Sequence, residues 1–461
     1  MKFKGTITLT IAFIGIVLYY FLIDVPTAER KKEDKIRSEK VLLFEPDDVD
    51  TFSIIKNKIS ITLKRSSTSE WQMTAPVNAK GDTAAASTYL SFLNNLSFTR
   101  VVDDSPKDLS IFGLNTPTLK ISLSMKNGGA KGIRVGNDHP MGSKIYLARS
   151  DGNTVLSATV ARNNLDRSVY DLRDKTILSF ETSKVTKLEC TRDEKTLVLE
   201  KIEESWKLSE EKNNAKGSEN EISNFLNSIR AARIKEFVEE HPEQLASYGL
   251  VNPKLILKVI SAKGSDPLTL LIGKKGENGF YAKILSEKNV FIIEQSLFNT
   301  LNNSRLVDFA DKSLVNFSDD EVARLNLRMN DEAIHLIRDE KDLQKWTIEK
   351  PVNAQASTAT VNSLLFDLKD TRIVEFVKTF VTNPEPFGFD PPEKKLTLTY
   401  KDGKTWSLIL GNQTSSGEHY FARRTGEEAV FTLKRSSMET IFRSLNDLKD
   451  KTLLEFNKDE V

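Results

Sequence analysis

The chain has 461 residues, with 66 Lys and Arg against 65 Asp and Glu, and a single cysteine, Cys190. Near-zero net charge argues against a nucleic-acid binder, which needs a basic face to displace counterions. One cysteine excludes both an intramolecular disulfide framework and a thiolate metal cluster, and the length suits two to four globular domains.

Residues 5–23, reading GTITLTIAFIGIVLYYFLI, carry no charge. That length approaches the roughly 20 residues that cross a bilayer as a helix. Lys2 and Lys4 precede the run, and Tyr19 and Tyr20 sit near its far end, as interfacial aromatics do. Pro26 is a poor match for a signal-peptidase site ending at Ala28, and no cysteine follows for lipid attachment, so an uncleaved transmembrane anchor is predicted. Flanking charge leaves orientation open. Arg30, Lys31, Lys32, Lys35, Arg37 and Lys40 follow the helix, but they alternate with acids, and long domains translocate regardless of such charge. Residues 24–43 read as a charged stalk.

Beyond the stalk the chain repeats itself. Phe44, Phe180, Phe317 and Phe456 mark boundaries separated by 136, 137 and 139 residues. The predicted repeats are 44–180, 181–317 and 318–456, and the final NKDEV reads like the opening of a fourth. Each contains a tryptophan: Trp71, Trp206 or Trp346. A glycine follows 42, 43 and 42 residues later, in FGLNTP (Gly113), YGLVNP (Gly249) and FGFDPP (Gly388). A second glycine ends an apolar strand at Gly136, Gly273 and Gly411. Next comes an aromatic, Ala and cation phrase: YLAR, FYAK and YFAR. An Asp-Lys cadence closes each repeat at Asp174, Asp311 and Asp450.

A period this long buries its own core, so three tandem domains are expected in place of a solenoid. With no long Gly/Ser or Pro linker between them, abutting repeats predict a stiff rod. Within a repeat, alternating runs such as FSIIKNKISITLKR predict hairpin strands. A helix follows: Ile222, Phe225, Leu226 and Ile229 share one face behind Ser218 and Glu221, a capping-box pair. Four short strands and a closing helix, SSMETIFRSLNDLKDK, complete an α+β domain. The Asp-Lys pair should lie where that helix stops, with Lys near the unsatisfied carbonyls.

Catalytic motifs are missing. DGKTW has Leu398 where a phosphate-binding loop needs its first glycine, and reads as a hairpin turn. No nucleophile elbow, dinucleotide fingerprint or zinc-protease motif occurs. His139, His241, His335 and His419 fall at unrelated places without ligand spacing, so no metal and no cofactor are expected. The tryptophans could stack on carbohydrate, but a fixed strand position predicts core packing. The exposed candidate is the cation of the repeated phrase. Arg149, Lys283 and Arg423 could form a ladder for an anionic polymer or partner protein; the bland reading is an outward charge for solubility.

The anchor, W-x4-P-V-N-A, the [FY]-G-[LF]…P turn, the strand ending in [IVL]-G and L-[RK]-D-K-T together resemble a bacterial membrane-protein family catalogued as domain of unknown function 4340. The resemblance spans nearly all of 44–456 as three copies. The second departs most, with Ser209 in the Trp–Pro neighbourhood and KSL in place of KTL. The resemblance implies a single anchor, an extracytoplasmic (periplasmic) domain and company with ABC-type transport subunits, and it carries over no catalytic residues. The expectation is a non-enzymatic accessory or scaffold protein of an envelope transport assembly. The alternative is a binding module for envelope glycan or another anionic polymer.

Overall fold

The computed structural model describes residues 34–452 together with Phe13, Tyr20 and Leu22, except for 69, 141, 212, 263, 265, 379–384, 393 and 428. The predicted anchor apart from those three residues, the first half of the stalk (24–33) and the Phe456 boundary lie outside the described residues. Among the described residues no helix is long and apolar enough to cross a membrane.

In the first repeat the alternating runs become β1 (Val49–Lys56), β2 (Ile59–Arg65), β3 (Trp71–Ala75) and β4 (Ala79–Lys80). Asn57 and Lys58 both take positive φ between β1 and β2, as a two-residue hairpin turn requires. Helix α1 (Thr83–Asn95) follows, then β5 (Arg100–Asp103), β6 (Leu119–Met125), β7 (Ala130–Asp138), β8 (Ile145–Arg149) and β9 (Val155–Ala158). Two single-turn helices, α2 (Arg162–Leu165) and α3 (Val169–Leu172), close the repeat. The second repeat runs through β10 (Lys187–Arg192), β11 (Lys195–Ile202), β12 (Ser205–Glu210), β13 (Asn213–Lys216), α4 (Glu219–Ala231) and β14 (Glu236–Glu239). It ends with β15 (Leu255–Ile260), β16 (Leu268–Lys275), β17 (Phe280–Ile284), β18 (Val290–Ile293), α5 (Gln295–Asn303) and α6 (Leu306–Phe309). The third follows with β19 (Val322–Met329), β20 (Glu332–Arg338), β21 (Trp346–Lys350), β22 (Ala354–Gln355), α7 (Thr358–Asp370) and β23 (Glu375–Lys378). Its last elements are β24 (Lys394–Tyr400), β25 (Thr405–Gln413), β26 (His419–Arg424), β27 (Val430–Lys434), α8 (Arg435–Ile441) and α9 (Leu445–Leu448).

Each repeat builds a nine-stranded antiparallel sheet; in the first the order is β4-β3-β2-β1-β6-β7-β8-β9-β5, and the other two repeat it. The α+β reading with three copies is thus observed. The single closing helix predicted in the third repeat is instead two, because Ser444 starts a new N-cap and accepts from the Asp447 N–H. Half of the predicted capping box forms on α4, with Ser218 Oγ accepting from the Glu221 N–H.

Apolar faces explain where the core lies. β6 alternates buried and exposed along its whole length, so one sheet face is sealed by the long helix, which in the first repeat buries Ala86, Tyr89, Leu90 and Leu93. Trp71, Trp206 and Trp346 are 1%, 3% and 0% exposed, so they are core residues and not carbohydrate platforms. Arg65 lies 4.5 Å over the Trp71 ring and Arg338 4.6 Å over Trp346. Cys190 is fully buried, and burial raises its thiol pKa against the pull of Arg192.

By contacts the chain divides into two compact units. One comprises residues up to Thr176 with Arg233–Glu240; the other comprises Ile177–Ala232 with His241–Val461. Within the first, the Arg173 guanidinium explains the attachment of the short segment. It lies 3.6 Å over the Phe237 ring and donates to both Glu240 carboxylate oxygens, while Tyr170 Oη donates to Ile234 O.

Candidate interaction surfaces

The Asp-Lys cadence is a seam. In the second unit the Ser218 N–H donates to Phe309 O, and the Asp311 N–H donates to Lys216 O, so the strap closes onto its own repeat. One residue later the partners change: the Ile373 N–H donates to Lys312 O and the Leu314 N–H to Thr371 O, in the following repeat. No spacer residue separates the two sets. The Asp side chain bends the strap between them, Asp311 Oδ1 accepting from the Ser313 N–H at 2.9 Å; Asp174 and Asp450 take Thr176 and Thr452 at the same distance. In the first unit the predicted role of Lys is seen directly, with Lys175 Nζ donating to the carbonyls of Tyr170, Asp171 and Arg173.

The first repeat has a strap too. The Val41 N–H donates to Leu96 O and the Phe98 N–H to Glu39 O, while Val41, Leu42 and Phe44 are buried. The last residues of the predicted stalk therefore already belong to the repeat; residues 34–39 before them form an exposed helix.

Asp311 gives the seam a pH dependence. Burial raises its carboxyl pKa, but the Ser313 N–H, the Ser313 side chain and the Lys216 ammonium outweigh burial and hold it below the usual range. A carboxylate depressed in the folded state adds stability that is full above the unfolded value, about 3.9, and is lost as pH falls through the folded one. Urea midpoints of the wild type and Asp311→Asn should therefore differ near neutrality and converge in acid. Lys216 is mostly exposed, so the ion pair contributes about 1 kcal/mol at most.

The two glycine landmarks form one corner. Gly113, Gly249 and Gly388 adopt φ of 68°, 68° and 75°. The carbonyl just before each approaches the strand glycine so closely that a Cβ on Gly136, Gly273 or Gly411 would lie 2.2, 2.1 or 1.9 Å from it. Under each corner an aromatic pair meets edge to face at 5.0–5.1 Å: Phe112 with Tyr146, Tyr248 with Tyr281, Phe387 with Phe421.

These aromatic pairs fix the register of the third landmark and separate its three cations. Arg149 pairs across the sheet with Ile133, three residues before the strand glycine; Lys283 and Arg423 pair with Leu271 and Ile409, two before it. The residue equivalent to Arg149 is Arg424 in the third repeat and Ile284 in the second. Arg149 Nε donates to Val41 O at 2.7 Å and Nη2 to Lys40 O at 3.0 Å. Arg424 Nη1 reaches Ser313 O and Leu314 O, the matching strap carbonyls. Lys283 is buried, donates to Glu287 O, and has its pKa lowered by desolvation against the opposing charge of Glu287. Arg423 lies 5.0 Å over the Phe389 ring. The three predicted cations thus occupy two register positions and have three different sets of neighbours. Arg424, which the sequence reading passed over, is the one that shares Arg149's task; the doubled arginine in FARR was its signal.

Replacing Arg149 by Ala should free the strap. Two lost side-chain bonds, each worth about 1 kcal/mol net, predict roughly tenfold or greater acceleration of hydrogen exchange at the Val41 and Phe98 amides. Amides of β6 should exchange as before.

No group of three His, Cys, Asp or Glu side chains is placed to hold a metal among the described residues. No curated protein matches the chain. Among solved structures, a DNA polymerase sliding clamp from Pseudomonas aeruginosa with ligand is similar at 7% identity and a TM-score of 0.13, covering 87% of this chain and 94% of the clamp. A DNA polymerase III subunit beta from the same organism is similar at 8% identity and a TM-score of 0.14, covering 87% of this chain and 95% of that one. Such scores carry no argument about fold or function. The family described as Domain of unknown function (DUF4340) matches residues 71–242, 211–379 and 346–461. The chain belongs to this family and carries its domain as three tandem copies.

Proposed function

We propose that this protein is a membrane-anchored, non-enzymatic scaffold or accessory protein of an ABC-type envelope transport assembly, with its three repeats outside the cytoplasm. The seam between the second and third repeats supports the scaffold role most directly. Its strap bonds to both neighbours with no free residue between them, so surfaces on the two repeats keep a set spacing. The apolar run over 5–23 supports the anchor, and the family resemblance supports the transport setting. The polymer-binding alternative drew on a ladder of cations, and the unequal surroundings of Arg149, Lys283 and Arg423 leave it without that motive.

The test is crosslinking in the native membrane, followed by detergent extraction, pull-down of the full chain and mass spectrometry. Specific recovery of a permease or ATPase subunit is the expected result. Recovery of glycan or generic envelope proteins alone, with the anchor intact, would overturn the transport reading.

A further inference from the structure

We infer that the open sheet face of the third repeat docks an extended, acidic segment of a partner protein. This inference rests on the scaffold reading and names the chemistry of what the scaffold would hold.

Strands β19, β20 and β24 lie side by side, and one face of each, from Leu325 and Leu327 to Leu396 and Leu398, is turned to the core. Alternation puts Arg324, Asn326, Arg328, His335, Lys395 and Thr397 on the opposite face, and none of them is buried. The register sets these residues in rows. Arg328 stands directly opposite Lys395, Asn326 lies between Thr397 and His335, and Arg324 lies between Thr399 and Ile337. Two cations directly opposite each other across an antiparallel pair repel and destabilise the sheet. No acid relieves them: among the described residues neither Arg328 nor Lys395 makes an ion pair, and Arg328 Nε donates to Asn330 O at 3.4 Å.

The other two repeats avoid this repulsion. Counted from the hairpin turn, the equivalent pair is Ile55 with Lys120 in the first repeat and Thr191 with Ile256 in the second. The second repeat also supplies counter-ions on the equivalent face. Lys187 meets Glu189 at 3.0 Å and Glu200 at 4.0 Å, and Lys258 meets Glu189 at 3.5 Å. In the third, the residues that β19, β20 and β24 present there include no acid. The neighbouring β21 lends one, Glu349, which takes Arg324 at 2.9 Å. A local conflict that two sister repeats avoid is the mark of a surface kept for binding.

The face also indicates what fits it. The planar guanidinium suits carboxylates, and Arg324 already holds one. Arg324 and Arg328 are four residues apart on one strand, about 13–14 Å. An extended segment laid along β19 offers side chains on one side at that same interval. Between the arginines lie the hydrogen-bonding groups of Asn326, His335 and Thr397, and Ile337 adds apolar surface beside Arg324. Such a mixed pattern matches a protein segment better than the uniform charge of a lipid headgroup layer or a phosphate polymer.

The probe is a fluorescent peptide of four Glu-Thr repeats, titrated into the full-length protein in a non-ionic detergent. Binding should be saturable and weakened by salt, and a Gln-Thr peptide of the same length should not bind. Arg328→Thr combined with Lys395→Ile installs the second repeat's pair. It should lower affinity at least tenfold while raising the urea midpoint of the second unit, because the repulsion is gone; a misfolded variant would lower that midpoint. Lys64→Thr combined with Lys120→Thr removes two lysines from the same face of the first repeat and should leave binding unchanged. Absence of saturable binding, equal loss in both double variants, or a lower urea midpoint in the first would overturn the inference. Tighter Arg328-dependent binding of polyphosphate, or of micelles doped with anionic lipid, would assign the face another occupant and overturn it too. If native-membrane pull-down with the wild type and with the Arg328→Thr, Lys395→Ile variant recovers the same transport subunits equally, the face fails while the scaffold reading stands. Peptide binding as expected with no transport subunit recovered would instead fail the transport reading alone.

Discussion

Trp346→Ala should destabilise the second unit by about 3–5 kcal/mol, the range for removing a fully buried aromatic. The indole is 0% exposed and lies among Leu336, Ile348 and Val361 in the third repeat's core, beneath the Arg338 guanidinium. Its removal leaves a cavity that strand β21, hydrogen-bonded on both sides, cannot collapse to fill. Trp346→Phe should cost much less. The indole Nε1 makes no hydrogen bond within the described structure, so the phenyl ring loses volume without orphaning an acceptor. Urea titration with tyrosine fluorescence and circular dichroism measures both. Similar losses for the two variants would show that the indole nitrogen matters and that this account of the site is incomplete.

Gly411→Ala comes next in expected effect. A Cβ there would sit 1.9 Å from Phe387 O and 3.0 Å from the Phe389 ring, and the corner must open to admit it. Overpacking against backbone costs about 1–3 kcal/mol and more where nothing yields. Gly403 is the control. Its φ is +83° but nothing lies within 4 Å of the added carbon, so Gly403→Ala carries only the conformational cost, about 1 kcal/mol. If the corner matters as described, Gly411→Ala will lower the urea midpoint clearly more than Gly403→Ala, and Phe421→Ala will partly reproduce the loss.

Much of this was legible in the residues because local chemistry and tertiary role coincided. Alternation gave the hairpins, Ser218 marked a helix start, and the Lys of the cadence was placed at a helix end. The glycine landmarks were visible as positions, but not as one contact, because a carbonyl pressed against a glycine leaves no mark on any other side chain. The edge strands β5, β14 and β23 were missed for a related reason: RVVD, EFVE and EFVK are too short to show a period. The cation phrase misled by one residue. Matching Ala-Arg in YLAR to Ala-Lys and Ala-Arg elsewhere aligned the small residue, whereas the sheet aligns the aromatic beneath the corner. The strap's partners were invisible in principle, since nearly all its bonds are backbone to backbone and any residue but proline could make them.

That backbone seam has a consequence for how such a chain can change in length. Asp311 answers to one repeat and Lys312 to the next, through backbone groups of adjacent residues. A single residue inserted there would turn one row of hydrogen bonds away from its partner, and no side chain could compensate. Loops such as 160–167 and 295–304 differ in length without harm, because no second body depends on their phase. The protein can therefore gain or lose residues freely inside a repeat, but across the seam it can grow only by whole repeats, like a zip to which teeth are added but never fractions of a tooth.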